Sequence, residues 1–131
     1  MSGDVFFIKS PGEMFHYFVV VSAPEKLPDL IWRDSVFLVM LTTKEYWKND
    51  SCIITPEDYP VLDHDSIAAF DMPPSLWLTL EQLQLLRSQK RLIAKEPVSM
   101  EVLQRLRKGY ANSPYRKDKI YNFLYRQELV E

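Results

Sequence analysis

Three hydrophobic runs dominate the first half of the chain: GDVFFIK (residues 3–9), HYFVVVSAP (16–24) and SVFLVMLTT (35–43). They are short and rich in Val and Phe, which favours strands over helices, and their near-continuous apolar character predicts burial on both faces of a sheet. Pro11 and Gly12 mark a turn between the first two runs, and the polar stretch SAPEKLPDLIWRD with its two prolines separates the second from the third. Weaker strands are expected at SCIIT (51–55) and HDSIAAFDM (64–72).

The period changes in the second half. Thr79 and Gln82 in TLEQ have the spacing of a capping box, and Leu80, Leu83 and either Leu86 or Leu85 then share a helical face, predicting a helix over about 80–89. RLIAKEPV reads as a short strand before Pro97. Ser99 can cap a helix carrying Val102, Leu103 and Leu106, with Gly109 near its end. Ser113 and Pro114 supply an N-cap and first helical position for a last helix over about 114–130, whose apolar side holds Ile120, Phe123, Leu124 and Tyr121. Strands first and helices after predict an α+β domain or a helix-decorated β-barrel, and nothing interrupts residues 1–131 as a single domain.

Composition narrows the class. With 131 residues, 47% hydrophobic and 26% charged, the chain has ordinary globular values. The longest apolar runs fall short of the ~18 residues that cross a bilayer, and no basic segment followed by a long apolar core opens the chain, so a soluble, cytoplasmic protein without membrane contact is expected. Cys52 is the only cysteine, which rules out an internal disulfide and a Cys-based zinc site. The net charge of −2 hides an asymmetry: residues 1–86 hold 5 Lys/Arg against 13 Asp/Glu, and residues 87–131 hold 11 against 5. A basic second half fits a polyanionic or acidic partner, and equally a solvated helical surface.

No GxGxxG, Walker, HExxH or GxSxG motif occurs, and three glycines leave little for a phosphate-cradling loop, so no cofactor is expected. Glu57 with Asp58, and Asp63 with Asp65, read more naturally as acidic turns than as paired acid/base carboxylates. Asp63, His64 and Asp65 are too close in an extended chain to converge on one ion, so no metal site is expected.

GDVFFIK, a turn, HYFVVVSAP and SVFLVMLTT together resemble the N-terminal half of the PemK/MazF-like toxins. HDSIAAFDMPPSLWL resembles that family's next strand and VSMEVLQRLRKGY its closing helix, so the resemblance spans most of residues 3–110 and leaves the last helix outside. It implies an SH3-like β-barrel with peripheral helices, usually a homodimer. It further implies a toxin that cleaves single-stranded RNA without a metal, through attack of the ribose 2′-OH, and is silenced by an acidic antitoxin protein.

By that resemblance His16 stands where the family has a catalytic arginine. A histidine there either acts as acid or base, or marks a relative without nuclease activity, or is a partly buried strand residue that hydrogen-bonds locally. Thr42 matches the family's strand-end threonine, a donor to a phosphate oxygen, with Thr43 beside it; strand ends also favour threonine for its β-propensity alone. His64 is a candidate second imidazole with Ser66 two residues on, or else part of an acidic turn. Tyr46 and Trp47 follow the threonine pair as candidates for stacking on a base. Tyr110 and Tyr115, set among the basic residues of 105–119, have a composition suited to nucleic acid or to an acidic tail. Trp32, Trp47 and Trp77 fit either a partner groove or packing. The expected activity is a metal-independent endoribonuclease; the alternative is a noncatalytic barrel module that binds a protein partner.

Overall fold

The computed structural model describes residues 2–9, 15–26, 34–43, 52–70 and 76–130, the side chains of residues 26, 43, 76 and 77 excepted. Among them run eight strands, β1 (Val5–Lys9), β2 (Phe15–Val20), β3 (Glu25–Lys26), β4 (Asp34–Thr43), β5 (Ile53–Ile54), β6 (Ser66–Ala68), β7 (Leu76–Thr79) and β8 (Leu92–Lys95), with three helices, α1 (Leu80–Ser88), α2 (Met100–Ala111) and α3 (Asp118–Arg126). The fold is α+β. Every strand pairing is antiparallel.

The sheet path is β5-β6-β4-β2-β1-β8, with β3 and β7 both paired to β4. β5 and β8 stand at opposite ends of that path, so among the described residues the sheet is open. The ten-residue β4 is its spine. Leu41 pairs with Tyr17 on one edge and Ala68 on the other, Leu38 with Val20 and Leu76, and Ser35 with Glu25 and Thr79. One edge therefore takes β2 and then β3, the other β6 and then β7. Where β2 gives way to β3, Val21 N–H donates to the Phe37 carbonyl at 3.0 Å and Phe37 N–H donates to Ser22 Oγ at 2.8 Å. The serine hydroxyl thus satisfies a buried amide that the ladder leaves over.

Alternation along β4 feeds two cores, as the continuous apolar runs imply. Phe37, Val39 and Leu41 join Val5, Val19, α2 residues Val102, Leu103 and Leu106, and α3 residues Ile120, Phe123 and Leu124. Val36, Leu38 and Met40 join Phe6, Ile8, Phe18, Val20, Leu92 and α1 residue Leu83 on the other face. Leu85 lies on the exposed side of α1, and Leu80 and Leu86 pack at its margin.

The caps of α1 and α2 form as their sequences imply. Gln82 N–H donates to Thr79 Oγ1 while Thr79 N–H donates to Gln82 Oε1, and Val102 N–H donates to Ser99 Oγ. α2 is tied to the sheet by the buried Arg107, whose Nε donates to the Val21 carbonyl at 2.8 Å. The last helix departs from expectation. It starts at Asp118, with Lys117 as N-cap and no side-chain cap bond. Ser113 Oγ accepts from Tyr115 N–H, and Lys117 N–H donates to the Tyr110 hydroxyl, so residues 113–117 form a turn instead of a first helical turn. β3 and β7 have no counterpart among the expected strands, because two residues carry no period and Leu76–Thr79 is too short to show one.

No helix among the described residues is long and apolar enough to cross a membrane. Leu106, fully buried between α2 and the sheet, tests the first core: Leu106→Ala is expected to lower the unfolding free energy by about 2–5 kcal/mol. Urea titration monitored by circular dichroism measures it, and a change below about 1 kcal/mol would contradict this packing.

Candidate active site at one end of the sheet

β2 begins, β4 ends and β6 begins at the same end of the sheet. The β2–β4 ladder closes with Tyr17 opposite Leu41, and one residue further along each strand stand His16 and Thr42. Opposed residues of antiparallel strands share a face. Alternation puts both on the face of Phe18 and Met40, and the β1 pairing sets His16 opposite Ile8 of that same core. Both are half-buried, neither sealed nor fully solvated. Thr42 has Ile67 opposite it on its other edge.

Burial pushes the His16 imidazole below its ordinary value of 6.5, because a cation there gives up hydration without a matching charge. At neutral pH the ring is a neutral proton acceptor on the sheet face that also carries the Thr42 hydroxyl, which donates or accepts. This arrangement is chemically suited to taking a proton from an alcohol while a neighbouring oxyanion is hydrogen-bonded.

The other expected residues fall differently. Thr43 pairs with Ser66, and alternation places both positions on the opposite face from His16 and Thr42, towards Ile54. Ser66 is only 3% exposed, so its hydroxyl faces packed structure rather than an external ligand. His64 precedes β6 in a bend and is half-exposed, with its Nδ1 against the Asp63 carboxylate. That pairing orients the ring, at the strand end that also carries Thr43. Tyr46, Trp47 and Trp32 lie outside the described residues, as does the Trp77 side chain. Tyr110 is a correction: it is 1% exposed, its ring edge-on to Phe37 and Phe70 and its hydroxyl engaged by Lys117 N–H, so it is a core residue and not a stacking surface. Tyr115 is exposed.

A clasp with no counterpart among the expected site residues holds the approach to His64. Thr55 N–H and Oγ1 both donate to Asp58 Oδ2, and Arg105 reaches from α2 to Asp58 Oδ1 at 3.0 Å and to the Ile53 carbonyl at 2.6 Å. The Thr55 amide, then Arg105, hold the Asp58 carboxyl below the usual carboxylate range. Tyr59 follows, buried, with its hydroxyl donating to the Glu96 carbonyl; burial pushes its pKa up to about 12. The TPED spacing, with Asp three residues after Thr, is the signal that marks such a turn. Asp58 is thus a structural carboxylate. Among the described residues no three His, Cys, Asp or Glu side chains converge as metal ligands.

Because the folded state keeps His16 neutral, it resists a proton that the unfolded chain accepts near pH 6.5. The stabilising share is complete above that value and is lost as pH falls from it towards the lowered folded value. Urea unfolding at a series of pH values is expected to show a decline over this window that is smaller in His16→Gln; identical profiles would place the imidazole in open solvent. Compared with protein-family models, with curated proteins and with solved structures, the chain matches none of them.

Proposed function

We propose that the protein is a metal-independent endoribonuclease of the PemK/MazF-like kind, acting on single-stranded RNA. The observation that carries this reading is that His16 and Thr42, each one residue beyond the Tyr17–Leu41 pair, fall by alternation on one face at a strand end, half-buried, with the imidazole kept neutral. In this reading the sheet is the counterpart of that family's SH3-like barrel, working as a homodimer in the cytoplasm under the control of an acidic antitoxin.

The chemistry is a transesterification. The neutral His16 imidazole takes the proton of the ribose 2′-OH, the 2′-oxygen forms a bond to phosphorus, and the bond from phosphorus to the 5′-oxygen breaks. The leaving oxygen takes a proton from a second acid, for which His64, oriented by Asp63, is the candidate. The products are a 2′,3′-cyclic phosphate and a 5′-hydroxyl. Thr42 donates to a nonbridging oxygen as charge builds there. Ser66 has no part in this scheme, because its hydroxyl is buried on the other face.

The test is cleavage of a mixed-sequence single-stranded RNA in EDTA. The expected result is turnover that survives chelation, leaves cyclic phosphate ends, and falls about 10²–10⁴-fold in His16→Ala. Thr42→Val, close in shape but without the hydroxyl, is expected to lose activity with its urea midpoint little changed. RNA that stays intact at high protein concentration rejects the nuclease reading in favour of a noncatalytic protein-binding module.

A further inference from the structure

The α2–α3 layer roofs only part of the sheet face it packs on. It covers Val5 and Val19, but further along the same face β1, β2 and β8 present Phe7, Lys9, Phe15, Tyr17, Ile93 and Lys95, none of them fully buried. The register makes these neighbours: Phe7 is opposite Tyr17 and Ile93, Lys9 opposite Phe15, and Lys95 opposite Val5. The three aromatic rings form a row. Phe7 stacks on Phe15 with centroids 4.7 Å apart and leans on Tyr17 at 4.5 Å. Lys9 Nζ lies 5.9 Å from the Phe15 centroid and Lys95 Nζ 5.7 Å from that of Phe7. A third cation, Arg91, is held at the same corner by a hydrogen bond from its guanidinium to the Lys9 carbonyl at 3.2 Å.

We propose that this aromatic and cationic sheet corner is a binding platform for the unpaired bases of a single-stranded nucleic acid. Rings on a sheet face with flanking cations provide what such a strand needs: flat apolar surface for bases and positive charge for the phosphates between them. Phe7 packs against both neighbours and Tyr17 also against the α2–α3 core, so Phe15 is the ring at the free end of the row. A base that extends the row on Phe15 displaces the Lys9 ammonium from the ring and onto a phosphate. A second copy of the chain fits less well. A two-fold interface through this corner sets its own lysines against their equivalents, and like charges at an interface oppose association.

The platform deepens the ribonuclease reading, and rests on it only for the choice of RNA over DNA. Its rings flank His16 in sequence but lie on the opposite face of the sheet, so a strand that engages both has to wrap round this end of the sheet. A labelled 2′-O-methyl oligoribonucleotide, which lacks the attacking hydroxyl, separates binding from cleavage.

Fluorescence anisotropy is expected to show binding to the single strand and weaker binding to its duplex. Affinity should fall about tenfold or more in Phe15→Ala. In the double variant Lys9→Glu, Lys95→Glu it should fall as well, with the salt slope of binding reduced by about 0.7 for each phosphate that is no longer neutralised. These lysine changes keep the apolar core intact, so their result stands even if Phe15→Ala unfolds. Binding that is absent from the unmodified protein, or unaltered in the lysine variant, overturns the platform. So does a dimer in sedimentation that the same lysine changes convert to monomer, since a second copy then occupies the corner. Binding without cleavage of natural RNA upholds the platform and removes the nuclease; cleavage with variant-insensitive binding does the reverse.

Discussion

Backbone pairing along both edges of β4 is the constraint from which the rest of this structure follows. A strand with partners on both edges satisfies its amides only if it lies inside the sheet, and its side chains then have nowhere to go but into two apolar layers. The sequence VFLVML meets that demand at every position: Phe37, Val39 and Leu41 enter one core, and Val36, Leu38 and Met40 enter the other. A charge at any of these positions would be buried without a partner. The two edges are each shared between two strands, and where β2 gives way to β3 the Ser22 hydroxyl accepts the Phe37 amide.

The same constraint creates the strand-end site. β4 stops being apolar at Thr42, where its neighbour β2 has just begun and β6 is about to begin. Polar groups collect there because burial is incomplete, and the burial that remains is enough to keep His16 neutral. Residues 55–59 are held by the Thr55–Asp58–Arg105 clasp and the Tyr59 hydroxyl bond, which tie the loop to α2 and to the chain after β8. The basic helices, whose composition fits an anionic partner, use part of their charge internally. Arg105 and Arg107 hold backbone carbonyls, and Arg116 lies 4.2 Å from the Tyr121 ring centroid while donating to the Ala111 carbonyl. The aromatic and cationic surface with the clearest shape lies on the sheet instead.

Much of the fold is legible in the chain because its signals are local. The three long strands, α1 with its capping box and α2 with Ser99 are each specified by a run or spacing of a few residues, and each forms where those residues stand. The start of α3 escapes such local reading because Ser113 and Pro114 are as suitable for a turn as for a cap, and Tyr110, brought near by α2, claims the Lys117 amide. The short β3 and β7 exist because β4 offers them an edge, which no four-residue window reveals.

The candidate site divides along the same line. That residues 16 and 42 are polar among apolar neighbours, and that an imidazole and a hydroxyl can do proton transfer, is written in residue types and in alternation. Whether Ser66 shares a face with them depends on register, where one step reverses every side chain, and the register found here turns it into the other core. Tyr110 and Tyr115 look equivalent in the chain and differ completely in burial, since helix phase against the sheet selects one for the interior. The Phe7, Phe15 and Tyr17 row is likewise invisible in order along the chain, since it needs two strands in antiparallel register and a helix layer that stops short of it. Local pattern sets which segments become strands and helices, because propensity and capping act over a few residues. Which side chains meet, and which remain open to a ligand, is settled by long-range pairing and packing, because those interactions join residues that the chain keeps far apart.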